Sequence, residues 1–240
     1  MLGYNVGITL QEEILRKTVP VVINSYNQPT YVKNIVSKLI LAGFGNIYIL
    51  DQCSSVRELI DYLSTGNGKI FSVFWSARNN GPHDFFISGK YRIFAEIPFM
   101  YSDPDLDWDY LAPNYLTRLF EIAKKYNAFK VGSALTIPDL VDLKPGISFA
   151  NSNGVNVTVP EHEAQFWINE LEANVFNSPI DTTMHLFLPG YYNPGRPLIT
   201  GLRVSGEGFQ LKHLPWWKDD LMSEQEKGDY LVTASHNSWR

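Results

Sequence analysis

At 240 residues, with 45% apolar and 19% charged residues, the chain can bury a sizeable core and reads as folded throughout. Its net charge of −5 excludes a duplex nucleic-acid binder, whose phosphate contacts demand a basic face. The single cysteine, Cys53, excludes both an intrachain disulfide framework and a cysteine-rich zinc site, so a reducing compartment is the simplest expectation. Met1–Leu10 lacks the basic start and apolar stretch of a secretory signal, and no run approaches the roughly 18 apolar residues of a membrane span. A soluble, cytoplasmic protein without a transmembrane segment is expected.

Val19–Asn24 is a short β-branched run and reads as a strand. The turn cluster Ser25–Pro29 leads into Thr30–Ala42, where Val32, Ile35, Val36, Leu39 and Ile40 recur at helical spacing. Gly43 and Gly45 stop that helix, and Asn46–Leu50 reads as a second strand ending at Asp51. Repetition as a Ser54–Leu63 helix and a Lys69–Phe74 strand predicts a doubly wound, mostly parallel sheet, with ligands gathering at the strand C-termini. Tyr91–Met100 is predicted as a fourth strand, Pro113–Tyr126 as a helix and Lys130–Ile137 as a strand. Glu161–Leu171 follows as a helix and Thr182–Leu188 as a strand. The Gly-, Pro- and Tyr-rich stretch Gly190–Gly208 and the segment beyond it, with Lys212–Trp217 and charged residues up to Tyr230, read as a lid.

The fourth predicted strand runs directly into Asp103-Pro104-Asp105. An Asp-x-Asp on extended or turning backbone sets two hard oxygen ligands close together, which suits Mg²⁺ or Mn²⁺ and not zinc. A cation there can bridge two phosphates and neutralise a departing nucleoside diphosphate. Pro104 fixes one torsion between the acids. Taken alone, the triplet reads more readily as an ordinary solvated turn, and its place after an apolar strand at the ligand-binding edge of a parallel sheet is what favours a site.

Ser102–Leu106 resembles the [ST]-D-P-D-L signature of bacterial and viral GT-A glycosyltransferases that build capsular or surface glycans. Val131-Gly132-Ser133-Ala134-Leu135, with Ile137-Pro138-Asp139-Leu140, is similar to that family's K-V-G-x-x-L…D-L element. Ile180-Asp181-Thr182-Thr183 looks like its I-D-T-T element, and Arg203-Val204 with His213-Leu214-Pro215-Trp216-Trp217 looks like its R-V…H-x-P-W-Y close. The matches keep the family's order over roughly residues 20–240. Met184-His185 stands where the family often has Phe-Ala, and Trp217 replaces Tyr.

The resemblance implies a single GT-A domain, a Rossmann-like α/β fold with a C-terminal lid. Residues 19–105 would form the nucleotide-binding half and residues 106–240 the acceptor half and lid. It implies metal-dependent transfer of a sugar from a nucleotide-diphosphate donor, most simply a UDP-sugar, to a hydroxyl of a glycan acceptor. Asp105 would ligate the metal, Asp103 would touch the metal or the ribose, and His213 would return from the C-terminal segment as a further ligand. A surface histidine beside two tryptophans is the other reading of His213.

Around this core, Asn24, Ser25, Tyr26 and Asn27 end the first strand and offer polar groups and an aromatic face to a base. Asp51 is either an acceptor for a uracil-like N–H or a turn residue. Arg78, Asn79 and Gly81 follow the third strand, Arg78 as a phosphate partner and Gly81 as a point of close backbone approach, or all three as plain loop. Asp181 is the expected catalytic base, with Glu161 and Glu163 as alternatives that equally serve a helix N-terminus. Trp216-Trp217 and Tyr191-Tyr192 read as sugar-stacking surfaces or as core. Two rival functions share parts of this pattern. A nucleotidyltransferase needs a Gly-rich phosphate loop, and Val19–Pro29 has no glycine. A noncatalytic glycan-binding module leaves the acids and His213 without a role.

Overall fold

The computed structural model describes residues 7–65, 68–94, 96–150 and 154–234. Most of the Met1–Leu10 segment lies outside them. The elements in chain order are α1 (Leu10–Thr18), β1 (Val21–Ser25), α2 (Pro29–Leu41), β2 (Ile47–Asp51), α3 (Arg57–Thr65), β3 (Ser72–Trp75) and α4 (Asp84–Ile87). There follow β4 (Phe99–Ser102), β5 (Leu106–Asp107), α5 (Tyr115–Tyr126), β6 (Lys130–Leu135), β7 (Ser148–Ala150), β8 (Asn156–Thr158) and α6 (Val159–Ala164). The remainder are β9 (Glu170–Glu172), β10 (Val175–Asn177), β11 (His185–Phe187), β12 (Leu202–Val204), β13 (Gln210–His213) and α7 (Glu224–Thr233).

The main sheet runs β3-β2-β1-β4-β11-β6-β12-β10-β9. Its first four strands are mutually parallel, as the βαβ pattern predicts. Strand β11 then enters antiparallel to both β4 and β6, and β12 is again parallel to β6. The sheet is therefore mostly parallel with a reversed strand at its middle, and helices flank it. Alternation along the strands divides the interior in two. Val21, Ile23, Ile47, Ile49, Met100 and Leu186 join the larger aliphatic core, whereas Val22, Leu50, Phe99, Tyr101 and Phe187 face an aromatic one.

That aromatic core explains the first departure from the sequence reading. Tyr91–Met100 is not one strand: residues 90–94 form a 3₁₀ turn, and only Phe99–Met100 belong to β4. Phe85 and Phe86 of α4, with Phe94 of the turn, cover the sheet face that β4 and β11 present, so burial of these rings wins over strand propensity. The predicted Glu161–Leu171 helix also changes. It starts earlier, at a Thr158–Glu161 capping box, and ends by residue 167, because Glu170–Glu172 pairs with β10 through a turn at Asn174 (φ 66°).

Helices α1 and α7 are additions to the sequence reading. The Glu12 carboxylate of α1 is fully buried and accepts from Arg16 Nε (2.7 Å), Leu116 N (3.0 Å), Thr117 N (2.8 Å) and Thr117 Oγ1 (2.8 Å). Asn114, the residue before α5, makes no side-chain cap, so Glu12 caps that helix from a distance. Helix α2 is served in the same way: Glu226 of α7 accepts from Thr30 N (3.0 Å) and Thr30 Oγ1 (2.5 Å), while Gln28 leaves the end uncapped.

Gly132 sits where β6 meets β11. A Cβ added there would lie 2.5 Å from both His185 Cβ and Met184 O. Gly132→Ala is therefore expected to destabilise the protein by about 1–3 kcal/mol, the usual cost of overpacking. An unchanged urea midpoint would show that β11 yields freely.

Candidate active site

Strands β1 and β4 are neighbours and parallel, with Ile23 opposite Ser102, so Asn24 and Asp103 emerge side by side at the C-terminal edge. Asn24 Nδ2 donates to Asp103 Oδ1 (3.4 Å), Gln52 Nε2 donates to Asn24 Oδ1 (3.3 Å), and Asn80 N donates to Gln52 Oε1 (3.4 Å). A chain of amides thus crosses the strand ends towards the acidic triplet. On the other side of Asp103, Thr182 Oγ1 donates to its Oδ2, and Asp103 N donates to Thr182 O (3.0 Å).

His213 arrives because β13 pairs antiparallel with β5, placing it opposite Leu106. Its Nε2 lies 3.2 Å from Asp105 Oδ2, and Leu214 N donates to Asp105 O (2.9 Å). Asp105 Oδ1 and His213 Nδ1 are buried with no hydrogen-bond partner among the described residues. Burial and the neighbouring Asp105 charge push Asp103 up to about 7, against the hydrogen bonds from Thr182 and Asn24. Burial opposes a charge on His213, but Asp105, Asp103 and Glu163 outweigh it and raise its pKa.

Two chambers meet at this wall. The first, about 300 Å³, is lined by Asn24, Tyr26, Gln52, Asn79, Gly81 and Tyr230. The second, about 520 Å³, is lined by Phe149, His162, Glu163, Phe166, Arg203 and Trp216. Asp103, Asp105, His213, Asp181, Thr182 and His83 border both. In the second chamber His162 stacks on Phe149 (ring centroids 4.3 Å apart), and Arg203 lies over Phe166 (4.0 Å) while bonding Glu163 (2.9 Å). Trp216 Nε1 is buried there without a partner.

The structure brings together Asn24, Tyr26, Asn79, Gly81, Asp103, Asp105, Asp181 and His213. Asn27 and Asp51 line neither chamber, and their side chains are held in the turn into α3. Asp51 is fully buried, its carboxylate held by Ser54 N (2.8 Å), Ser54 Oγ (2.6 Å) and Ser25 Oγ (3.4 Å). Asn27, at φ 51°, accepts from Ser55 N and Val56 N and so organises the turn into α3. Arg78 is exposed and lines neither chamber. Glu161 caps its own helix, Trp217 is a core residue, and Tyr192 packs on Phe129 and Phe187.

Gln52, His83, Thr182 and Tyr230 were missed. Gln52 directly follows the end of β2, and His83 lies in the loop beyond the end of β3 at the same edge of the sheet, which is the signal that could have found them. His83 Nε2 lies 2.9 Å from Asp181 Oδ1.

Asp105 Oδ1 and His213 Nδ1, unpartnered among the described residues, beside the hydrogen-bonded Asp103 carboxylate, match the donor chemistry of a divalent cation such as Mn²⁺. Among the described residues, no three acid, cysteine or imidazole side chains are grouped closely enough to hold a metal ion as they stand. Also among the described residues, no helix is long and apolar enough to cross a membrane.

No protein-family model matches the chain, and no curated protein matches it in sequence. Solved structures do. The mannosyltransferase PcManGT from Pyrobaculum calidifontis, in complex with GDP-Man and Mn²⁺, matches 96% of this chain at 9% identity with a TM-score of 0.52. GalNAc-T7 with UDP, GalNAc and Mn²⁺ matches 90% of it at 15% identity and a TM-score of 0.49. A Bacillus anthracis structure described as a putative glucose-1-phosphate thymidylyltransferase matches 75% at 11% identity and 0.43. The chain spans 66% of the mannosyltransferase and 47% of GalNAc-T7. The fold is GT-A, the Rossmann-like class with a mostly parallel sheet flanked by helices.

Proposed function

We propose that the protein is a metal-dependent glycosyltransferase that moves a sugar from a nucleotide-diphosphate donor, a UDP-sugar in the simplest case, to a hydroxyl of a glycan acceptor. The observation that carries this is that Asp103, Asp105 and His213 all border the seam of a polar and an aromatic chamber, with Asp105 Oδ1 and His213 Nδ1 unpartnered among the described residues. Asn24, Gln52 and Asn79 give the first chamber amide groups suited to a nucleoside. The aromatic walls and Glu163 of the second suit the apolar faces and hydroxyls of sugar rings. The PcManGT complex, of the same fold, holds a nucleotide-sugar and Mn²⁺.

Asp103, Asp105 and His213 would hold a divalent cation, which when bound supplies Lewis-acid stabilisation of the departing diphosphate. Asn24 and Thr182 orient Asp103. Helix α7, through Tyr230 and the Tyr26–Thr233 hydrogen bond (3.2 Å), encloses the nucleoside end and limits water there. Acceptor deprotonation falls to the Asp181–His83 couple, which borders both chambers.

Thermal denaturation with UDP or GDP, with and without Mn²⁺, tests the reading. Stabilisation of about 2.7 kcal/mol is expected at a ligand concentration of 100 times Kd, and only when nucleotide and metal are both present. A protein indifferent to every such pair is not this enzyme. Release of pyrophosphate from a nucleoside triphosphate would instead make it a nucleotidyltransferase.

A further inference from the structure

We propose that His83 is the base of the transfer, taking the acceptor hydroxyl's proton on Nδ1 while Asp181 orients its ring, an assignment that rests on the glycosyltransferase reading above. His83 stands on fixed backbone. The Tyr101 hydroxyl of β4 donates to Pro82 O (2.6 Å), and His83 O accepts from Phe86 N and Ile87 N (3.0 Å each) at the start of α4. The ring borders both chambers and is 41% exposed, so a substrate can reach it. Nε2 is bonded to Asp181 Oδ1, and Nδ1 has no protein partner among the described residues. A carboxylate on Nε2 keeps the proton there in the neutral ring and leaves the lone pair on Nδ1, the division of roles found in acid–histidine couples elsewhere.

The chemistry of the two partners favours the imidazole. Desolvation by its neighbours would raise Asp181 but is limited by a side chain that is 64% exposed, and the hydrogen bond from His83 with the charges of His83, Lys130 and Arg203 holds it below the usual carboxylate range. A carboxylate of that kind is a weak base at neutral pH, whereas a general base works best with a pKa near the working pH. His83 is moved the other way: its hydrogen bond to Asp181, with the Asp181 and Asp103 charges, outweighs burial and the opposing Lys130. Among the described residues, Asp181, Asp103 and Lys130 are the charged groups that act most on the ring, Lys130 being held by Ile180 O (3.2 Å), while Asp105 and His213 border the same chambers.

The step is a single displacement. The acceptor oxygen bonds to the anomeric carbon as its proton passes to His83 Nδ1. The bond from that carbon to the diphosphate oxygen breaks, and its electron pair leaves with the nucleoside diphosphate. The configuration at the anomeric carbon inverts.

The test measures nucleoside diphosphate release from a panel of UDP- and GDP-hexoses with Mn²⁺, water serving as acceptor. His83→Gln is expected to lower the rate by about 10²–10⁴-fold while retaining wild-type stabilisation by UDP with Mn²⁺. His83→Gly should recover activity with added imidazole, which a structural role would not allow. Asp181→Asn should retain more activity than His83→Gln and move the acid limb of kcat/KM to lower pH, because His83 loses the group that raises it. Near-normal turnover by His83→Gln overturns the proposal, as does retention of configuration or an acid limb unmoved in Asp181→Asn. Binding of UDP with Mn²⁺ without turnover of any donor also overturns it. If neither binding nor turnover is seen in the wild type, the glycosyltransferase reading itself fails, and the role of His83 with it.

Discussion

Alanine at Asp105 is expected to cut metal-dependent consumption of nucleotide-sugar at least about a thousandfold, because stabilising a departing diphosphate is worth several kcal/mol. Asp105 is 5% exposed, one oxygen faces His213 and the other has no partner, so little of the apoprotein depends on it. Its charge burdens Asp103, which it helps to push up to about 7. The metal-free variant should consequently melt no lower than the wild type while losing the stabilisation given jointly by UDP and Mn²⁺. Full consumption of donor by this variant at the original metal dependence would refute the assignment. The sign of the accompanying effect on His213 is fixed too. Its pKa is raised in part by Asp105, so in the variant the imidazole should lose its proton at lower pH, a shift visible by NMR.

The largest loss of stability is expected far from the chemistry, at Glu12. Its carboxylate takes four hydrogen bonds while fully buried, and Arg16 beside it donates to Ala42 O (2.7 Å) and Ala112 O (2.6 Å). Glu12→Ala leaves the Arg16 guanidinium without its counter-charge and strips the cap from α5. Breaking a buried pair in this way costs about 3–5 kcal/mol, which for a chain of this size lowers Tm by roughly 10 °C. Calorimetry on Glu12→Ala, Arg16→Ala and the double variant should show the double change falling well short of the sum, since both singles break one network. Strictly additive losses would mean that the two side chains act independently.

The parallel half of the sheet was legible because burial on both faces writes continuous apolar runs, as in Val21–Ile23 and Ile47–Leu50. The acidic triplet was placed correctly at a strand exit because β4 ends at Ser102. What could not be read were choices made by partners distant in sequence. Asp51 and Asn27 look like ligand-facing polar residues, yet Ser54, Ser55 and Val56 claim them for the turn into α3. Tyr91–Met100 carries enough aromatic residues to read as strand, but the Tyr91 and Phe94 rings are used, with Phe85 and Phe86, to roof the sheet. Helices α1 and α7 did carry a local signal, Thr9 three residues before Glu12 and Ser223 three before Glu226, and both hydroxyls do cap. That same spacing gave the true start of α6. His83 was hidden for a different reason: its partner lies almost a hundred residues away, and nothing in the local sequence announces the pairing.

The Glu12 contact also bears on the order in which the chain can assemble during synthesis. Leu116 and Thr117 lie 104 and 105 residues downstream of it. At typical elongation rates of about 5–20 residues per second, some 5–20 s separate the appearance of Glu12 from that of its partners. By the end of that interval β1 to β4 have been made and Arg16 of α1 can reach Ala42 O, whereas the α5 part of its seat is still missing. The first described helix to leave the ribosome thus completes its docking only once α5 has emerged, and a chain stalled before Leu116 would leave the Glu12 carboxylate without its α5 partners.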